Sequence, residues 1–388
     1  MSRVKLLAVM LLLAAPAGAA AAPDDIGKMP AELVREMRFA QDEALLASRG
    51  ARATIRQKIV DLSGQLAKFD AAVWEDPKNA RAALIYVLSG GDPRVLNRLI
   101  DAEKLGVDKP LVKAVLAYGE QRDEDAVTLF QDIDMSTLDP GLVGHVAMVR
   151  GLLLSKRAPD RSIAFFDLAR ISSAGTIVEE AALRQEAVVA ATAGQFAKSE
   201  ALASQYFRRF PNSLYVQSFS RQLAQQLVAE GYAGDEARLK RLSALLAGLP
   251  ADVRRNLCLL IAEEGIGAAK VEMVEFAARV AADDAKGRPQ DAARLGLFKA
   301  AALVVTDKAD EALAALGSVD RSLLAPREEA LLDAALAVAR AVRRPPQPVD
   351  EAPRAEDGDT SPPKMSKLIG DADAAMARAD QLLSEAVR

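Results

Sequence analysis

The sequence predicts an all-α protein, an α-solenoid in which helical hairpins stack one on the next. Between about Val107 and Arg343, helical stretches alternate with short polar breaks that carry Pro, Gly or Asp. Small residues early in each second helix fall at Ala126, Ala164, Ser199 and Ala237, at intervals of 38, 35 and 38. Two-helix repeats have periods in this range, and a single hairpin cannot bury its own apolar face, so neighbours must stack. Composition agrees: 51% of residues are hydrophobic but only 4% aromatic, so Ala and Leu supply the apolar surface, which favours closely approaching helices over strands. At 388 residues the chain is too long for one ordinary core unless it is built as an array.

Residues 1–22 have the three parts of a cleaved secretory signal. Arg3 and Lys5 give a positive start, Leu6 to Ala15 are almost wholly apolar, and Ala17 to Ala22 are small. The apolar run is short for a bilayer span, and an uncleaved anchor is the alternative. Cleavage between Ala19 and Ala22 is expected, with no Cys nearby for a lipid anchor. Removing Arg3 and Lys5 from the 50 basic residues leaves 48 against 54 acidic ones, a formal charge of −6. Nucleic acid is a poor partner for such a chain.

Residues 23–106 read as an N-terminal helical region. Ala31 to Ser48 and Ala51 to Phe69 form two helices about the stop at Gly50. Asp76-Pro77 starts a turn into Ala80 to Leu88. Gly90-Gly91-Asp92-Pro93 closes one helix and opens another, with Asp92 as cap and Pro93 in the first helical position. A phosphate cradle is the other use of such a turn, but no strand precedes it and no Lys-Ser or Lys-Thr follows.

Residues 107–342 are read as the repeating array. Its pairs are Leu111–Gly119 with Asp123–Ile133, Leu142–Leu154 with Asp160–Ile171, and Val178–Ala193 with Ala197–Phe210. Then follow Tyr215–Glu230 with Glu236–Leu249, Val253–Glu264 with Ala268–Ala282, and Asp291–Val305 with Lys308–Leu316. Asp139-Pro140-Gly141 and Thr176-Ile177-Val178-Glu179 are helix entrances, the second with capping-box spacing. Gly194, Phe196, Ser199 and Pro211 occupy tetratricopeptide offsets, although Tyr206 stands where a small residue is usual. The unit is a degenerate, tetratricopeptide-like repeat.

Residues 343–363 begin Arg-Arg-Pro-Pro-Gln-Pro and continue acidic and Pro-containing, the composition of a linker without a core. Residues 364–388 read as an amphipathic helix. Met365, Leu368, Ala372, Ala375, Ala379 and Leu382 form its stripe, and are the candidate partner-binding residues; a fold-back cap on the array is the alternative.

The residue types for catalysis are sparse. One His and one Cys do not make a metal site, and no cofactor or small-molecule ligand is expected. Cys258, within Leu-Cys-Leu-Leu-Ile, reads as a core thiol, and His145 as a packed or partly exposed imidazole. Glu179-Glu180 and Glu263-Glu264 are adjacent pairs on different helix faces and read as solvated surface rather than a catalytic dyad. A peptidoglycan-cleaving enzyme would need a sugar-stacking cleft; one Trp, five Tyr and no Glu-Ser motif argue against it. The chain reads as non-enzymatic.

Several segments carry a resemblance: Val73-Trp74-Glu75-Asp76-Pro77-Lys78-Asn79-Ala80-Arg81-Ala82-Ala83, Val87-Leu88-Ser89-Gly90-Gly91-Asp92-Pro93, Ala117-Tyr118-Gly119-Glu120, Gly144-His145-Val146-Ala147, Val178-Glu179-Glu180-Ala181-Ala182-Leu183-Arg184 and Tyr206-Phe207-Arg208-Arg209-Phe210-Pro211. Together they resemble the MotC family of periplasmic flagellar motility and chemotaxis proteins, over roughly Pro30 to Ala229. The resemblance implies a periplasmic protein that binds the periplasmic part of the stator subunit MotB and is needed for flagellar rotation. It transfers no binding residue, because the shared motifs are caps, turns and packing positions. A general periplasmic adaptor for envelope assembly is the competing expectation.

Overall fold

The computed structural model describes residues 27–43, 45, 51–100 and 104–342. Among them are seventeen α-helices and no strand. They are α1 (Pro30–Glu43), α2 (Ala51–Leu66), α3 (Pro77–Leu88), α4 (Val95–Ile100), α5 (Lys109–Gly119), α6 (Asp123–Gln131), α7 (Pro140–Leu154), α8 (Pro159–Ser172) and α9 (Ile177–Thr192). There follow α10 (Phe196–Arg209), α11 (Val216–Ala229), α12 (Glu236–Ala247), α13 (Ala251–Gly267), α14 (Val271–Ala281), α15 (Pro289–Leu303), α16 (Ala309–Gly317) and α17 (Pro326–Val342). The expected all-α helical-repeat solenoid is thus the observed fold. The chain divides into the units Met1–Ala339 and Arg340–Arg388; of the second, only the last turn of α17 is described.

Local chemistry sets the helix entrances. Asp76 accepts from the Lys78 amide at 2.8 Å and Asp139 from the Gly141 amide at 2.8 Å, each followed by Pro at the first helical position. Thr176 accepts from the Val178 amide, while the Glu179 carboxylate reaches the Gly175 amide at 2.6 Å, one residue earlier than in a standard capping box. Asp92 accepts from the Arg94 amide, but α4 starts only at Val95, so Pro93 lies before the helix.

Four exits share one device. The amides of Gly91, Arg122, Gln195 and Lys270 donate to the carbonyls of Tyr86, Ala117, Ala190 and Gly265 at 2.8–2.9 Å. The residue before each amide is left-handed: Gly90 (φ 93°), Gln121 (60°), Gly194 (75°) and Ala269 (53°). This is the Schellman closure. Two of its four positions carry a side chain at a strained φ.

The register marker needs correcting. Ala126 and Ser199 are buried as expected, but Ala164 and Ala237 are exposed. In α8 the small inward residue is Ser162, fully buried, whose hydroxyl donates to the Gly151 carbonyl at 2.7 Å. A Cβ on Gly151 would lie 2.6 Å from the Phe166 ring, so the bare glycine lets α7 and α8 meet. The α13–α14 hairpin repeats the arrangement: Gly265 on the first helix yields to Val274, 2.8 Å from where its Cβ would stand. In both hairpins the close approach is made by a glycine on the first helix.

Two apolar clusters result. One gathers α1 to α7 around Trp74, Tyr86 and Phe130; the other runs from α7 to α17 around Tyr206, Phe207, Phe219 and Phe298. α7 serves both, with Leu142, Val146 and Val149 in the first and Ala147 in the second. α1 also bridges them: its Ala31 amide donates to Asn79 at the start of α3, and its Asp42 accepts from the Ile177 amide of α9 at 2.8 Å.

Candidate protein-interaction surface

The buried carboxylates within the array are spent on internal contacts. Glu179 and Glu180, expected on the solvated surface, are buried at 3% and 0% exposure. Glu179 pairs with Arg209 at 2.7 Å. Glu180 accepts from the hydroxyls of Tyr206 and Ser213 at 2.7 and 2.9 Å, with Arg184 at 3.5 Å. Burial and the Glu180 charge push the Tyr206 phenol well above its usual pKa, so it stays a donor. One hairpin later Tyr232 donates to Glu200, which also meets Arg241 at 3.1 Å.

Sequence reasoning missed a third carboxylate. Glu186, fully buried on α9, lies 2.9 Å from Lys198 and 3.5 Å from Arg170, both of which also reach Asp167. Burial pushes its pKa up, against the pull of Lys198. Its position seven residues after Glu179 was the available signal, since that spacing repeats a helix face. The Glu263-Glu264 pair does remain partly solvated, beside Arg221.

The remaining sequence candidates are accounted for by packing. Cys258 is fully buried and its thiol is pushed up to about 12 by burial, with Asp284 adding to the effect. His145 is 5% exposed; burial first, then the Arg38 charge, hold its pKa down to about 4. Trp74, Tyr86, Tyr206 and Tyr232 are all buried, so none offers a sugar-stacking face. No cluster of three metal-ligating side chains occurs among the described residues. Met365, Leu368, Ala372, Ala375, Ala379 and Leu382 lie outside the described residues.

One open surface of the array is apolar. Near its last helices a groove of about 260 Å³ runs between the α13–α14 turn, the end of α15 and α17. Ala301, Ala302, Ala334 and Ala335 form walls too short to fill it, while Val305 and Val338 stand 69% and 44% exposed at its edge. Lys270 also lines it. Among the described residues, no helix is long and apolar enough to cross a membrane.

Fold and surface together define a helical-repeat protein whose buried carboxylates meet cations or hydroxyls within the chain and whose apolar groove stays exposed. Its family is shown by comparison with known proteins: the chain belongs to the family described as chemotaxis protein MotC, whose model matches residues 1–388. It is 30% identical over 325 residues to a chemotaxis protein MotC of Rhizobium meliloti (strain 1021), covering 82% of this chain and 73% of that protein. No solved structure matches.

Proposed function

We propose that this chain is a non-enzymatic periplasmic scaffold of the flagellar motor, which binds the periplasmic part of the stator protein MotB and is required for flagellar rotation. Family membership over the whole chain carries this reading. Three features support it: the signal-like pattern of residues 1–22, the hairpin array, and the apolar groove against α17. Repeat arrays hold partners on extended surfaces, and an apolar slot edged by branched aliphatics suits an amphipathic partner segment.

The test is a pull-down of the chain from Pro23 onward against the purified periplasmic domain of MotB from the same organism. Saturable binding is expected. Absence of binding by a folded, helical sample would transfer the role to a general periplasmic adaptor, the reading that the tetratricopeptide-like α9–α10 hairpin favours.

The stripe Met365, Leu368, Ala372, Ala375, Ala379 and Leu382 is a second contact in this proposal, tethered by residues 343–363. Ending the chain at Pro345 is then expected to weaken the complex while leaving Tm nearly unchanged. A large fall in Tm would make the segment a cap of the array instead.

A further inference from the structure

A second cavity, of about 90 Å³, lies between α6, α7 and α8. Val127, Phe130, Leu153 and Leu154 make it apolar, and Arg150 and Arg161 make it cationic. Arg150 is only 8% exposed. Its Nη1 donates to the Ile133 carbonyl at 2.9 Å, and its guanidinium lies 4.3 Å from the centroid of the Phe165 ring. These contacts hold the group in place without neutralising it: one carbonyl takes one of five N–H donors, and the ring covers one face.

Other half-buried arginines of the chain are treated differently. Arg254 meets Asp284 at 2.6 Å, Arg255 meets Asp291 at 2.8 Å, Arg294 meets Glu328, and Arg170 meets Asp167. Among the described residues no carboxylate forms an ion pair with Arg150 or Arg161. The charge that acts on Arg150 is instead Arg161, exposed on α8 and of the same sign; burial and this repulsion hold the Arg150 pKa below its usual value. A buried cation without a counter-ion is expensive to maintain, and a second cation at the mouth of its pocket raises the cost.

We propose that the Arg150–Arg161 pocket receives the carboxylate of an acidic side chain from a protein partner, with an apolar residue beside that side chain resting on Leu153 and Leu154. The proposal rests on the protein-binding role above and adds the chemistry of one contact. Two guanidinium groups offer paired donors matched to a carboxylate. The volume admits the end of one side chain, well short of the roughly 300–1,000 Å³ of small-molecule sites. The apolar walls suit an aliphatic stem better than a free inorganic anion.

The experiment titrates the full chain with acetyl-Leu-Glu-Leu-amide, its Gln counterpart, and inorganic phosphate, following arginine Nε–Hε resonances. The Glu peptide is expected to saturate on the order of millimolar and to shift the Arg150 and Arg161 signals. It should bind roughly tenfold tighter than the Gln peptide, the effect of one charge-assisted contact. Arg161→Gln, at an exposed position that leaves folding intact, should erase most of that preference, and Arg150→Gln all of it. Equal binding of the two peptides, no binding of either, phosphate binding tighter than the Glu peptide, or an unchanged preference in Arg161→Gln would each overturn the proposal. If Arg150→Gln unfolds, Arg161→Gln alone decides. The titration omits MotB, so a failed pull-down beside a successful titration would reject the stator partner and keep the pocket.

Discussion

The layer around α9 and the open end formed by α13, α15 and α17 are built from the same alanine-rich helices, yet they finish in opposite states. Around α9, three buried carboxylates each find cations or hydroxyls from neighbouring helices, and aromatic rings fill the space, with Tyr206 4.4 Å from Phe219. At the open end Ala301, Ala302, Ala334 and Ala335 face a slot that nothing in the described chain fills. The difference shows what each region is for: the first fixes one packing by making every alternative leave a buried charge unpaired, and the second keeps apolar area available to a partner.

The sharpest way to break this contrast is Glu180→Ala. It removes the acceptor of two buried hydroxyls and the counter-ion of Arg184. A loss of roughly 3–5 kcal/mol is expected, read as a lower urea midpoint. A loss within 0.5 kcal/mol, the range typical of surface substitutions, would mean that the α9 layer holds the fold no better than its surface does.

Acid should act on the same half of the molecule. His145 has a folded-state pKa of about 4 against 6.5 unfolded. Below 6.5 the unfolded chain therefore binds the extra proton, so the contribution of His145 is complete above pH 6.5 and is lost as pH falls toward 4. Between pH 7.5 and 5 the loss attributable to this residue is about 2 kcal/mol. His145→Gln should remove that part of the pH dependence, measured by urea unfolding at the two pH values.

A smaller effect of opposite sign is expected at the turns. Gln121 and Ala269 are exposed and left-handed, so Gln121→Gly and Ala269→Gly relieve strain without losing packing. Each should stabilise by about 1 kcal/mol, visible as a rise in Tm. A fall would show that these side chains make contacts that offset their backbone strain.

These same turns mark where the sequence was readable. Asp-Pro entrances and the Gly194 exit are local signals, and the helices they delimit stand within a few residues of their expected bounds. Gln121 and Ala269 perform the glycine role without glycine's signature, so the breaks after Gly119 and Glu264 were legible but the residues that turn there were not. The repeat register failed at Ala164 because alanine is common enough to supply a small residue two positions from the buried Ser162. Glu180 and Glu186 were misread or missed because their closest partners, Tyr206, Ser213 and Lys198, arrive from α10 and the segment beyond it, where no short-range pattern announces them. The open groove was illegible for a further reason. It consists of missing volume, and alanines that leave a slot look in sequence like alanines that close one.

The smallest expected change in stability carries the largest expected change in binding. Val305 and Val338 are exposed at the edge of the groove, so Val305→Asp and Val338→Asp should each move folding free energy by no more than about 0.5 kcal/mol. If the groove takes an apolar partner segment, the same two charges must be desolvated on binding, and the double variant should lose most of its affinity for the MotB periplasmic domain in the pull-down. Arg161→Gln, in a pocket lined by α6, α7 and α8, serves as the comparison. An unchanged pull-down for the Val305/Val338 variant would move the interface away from the open end, while a drop in Tm would show that the slot belongs to the core after all.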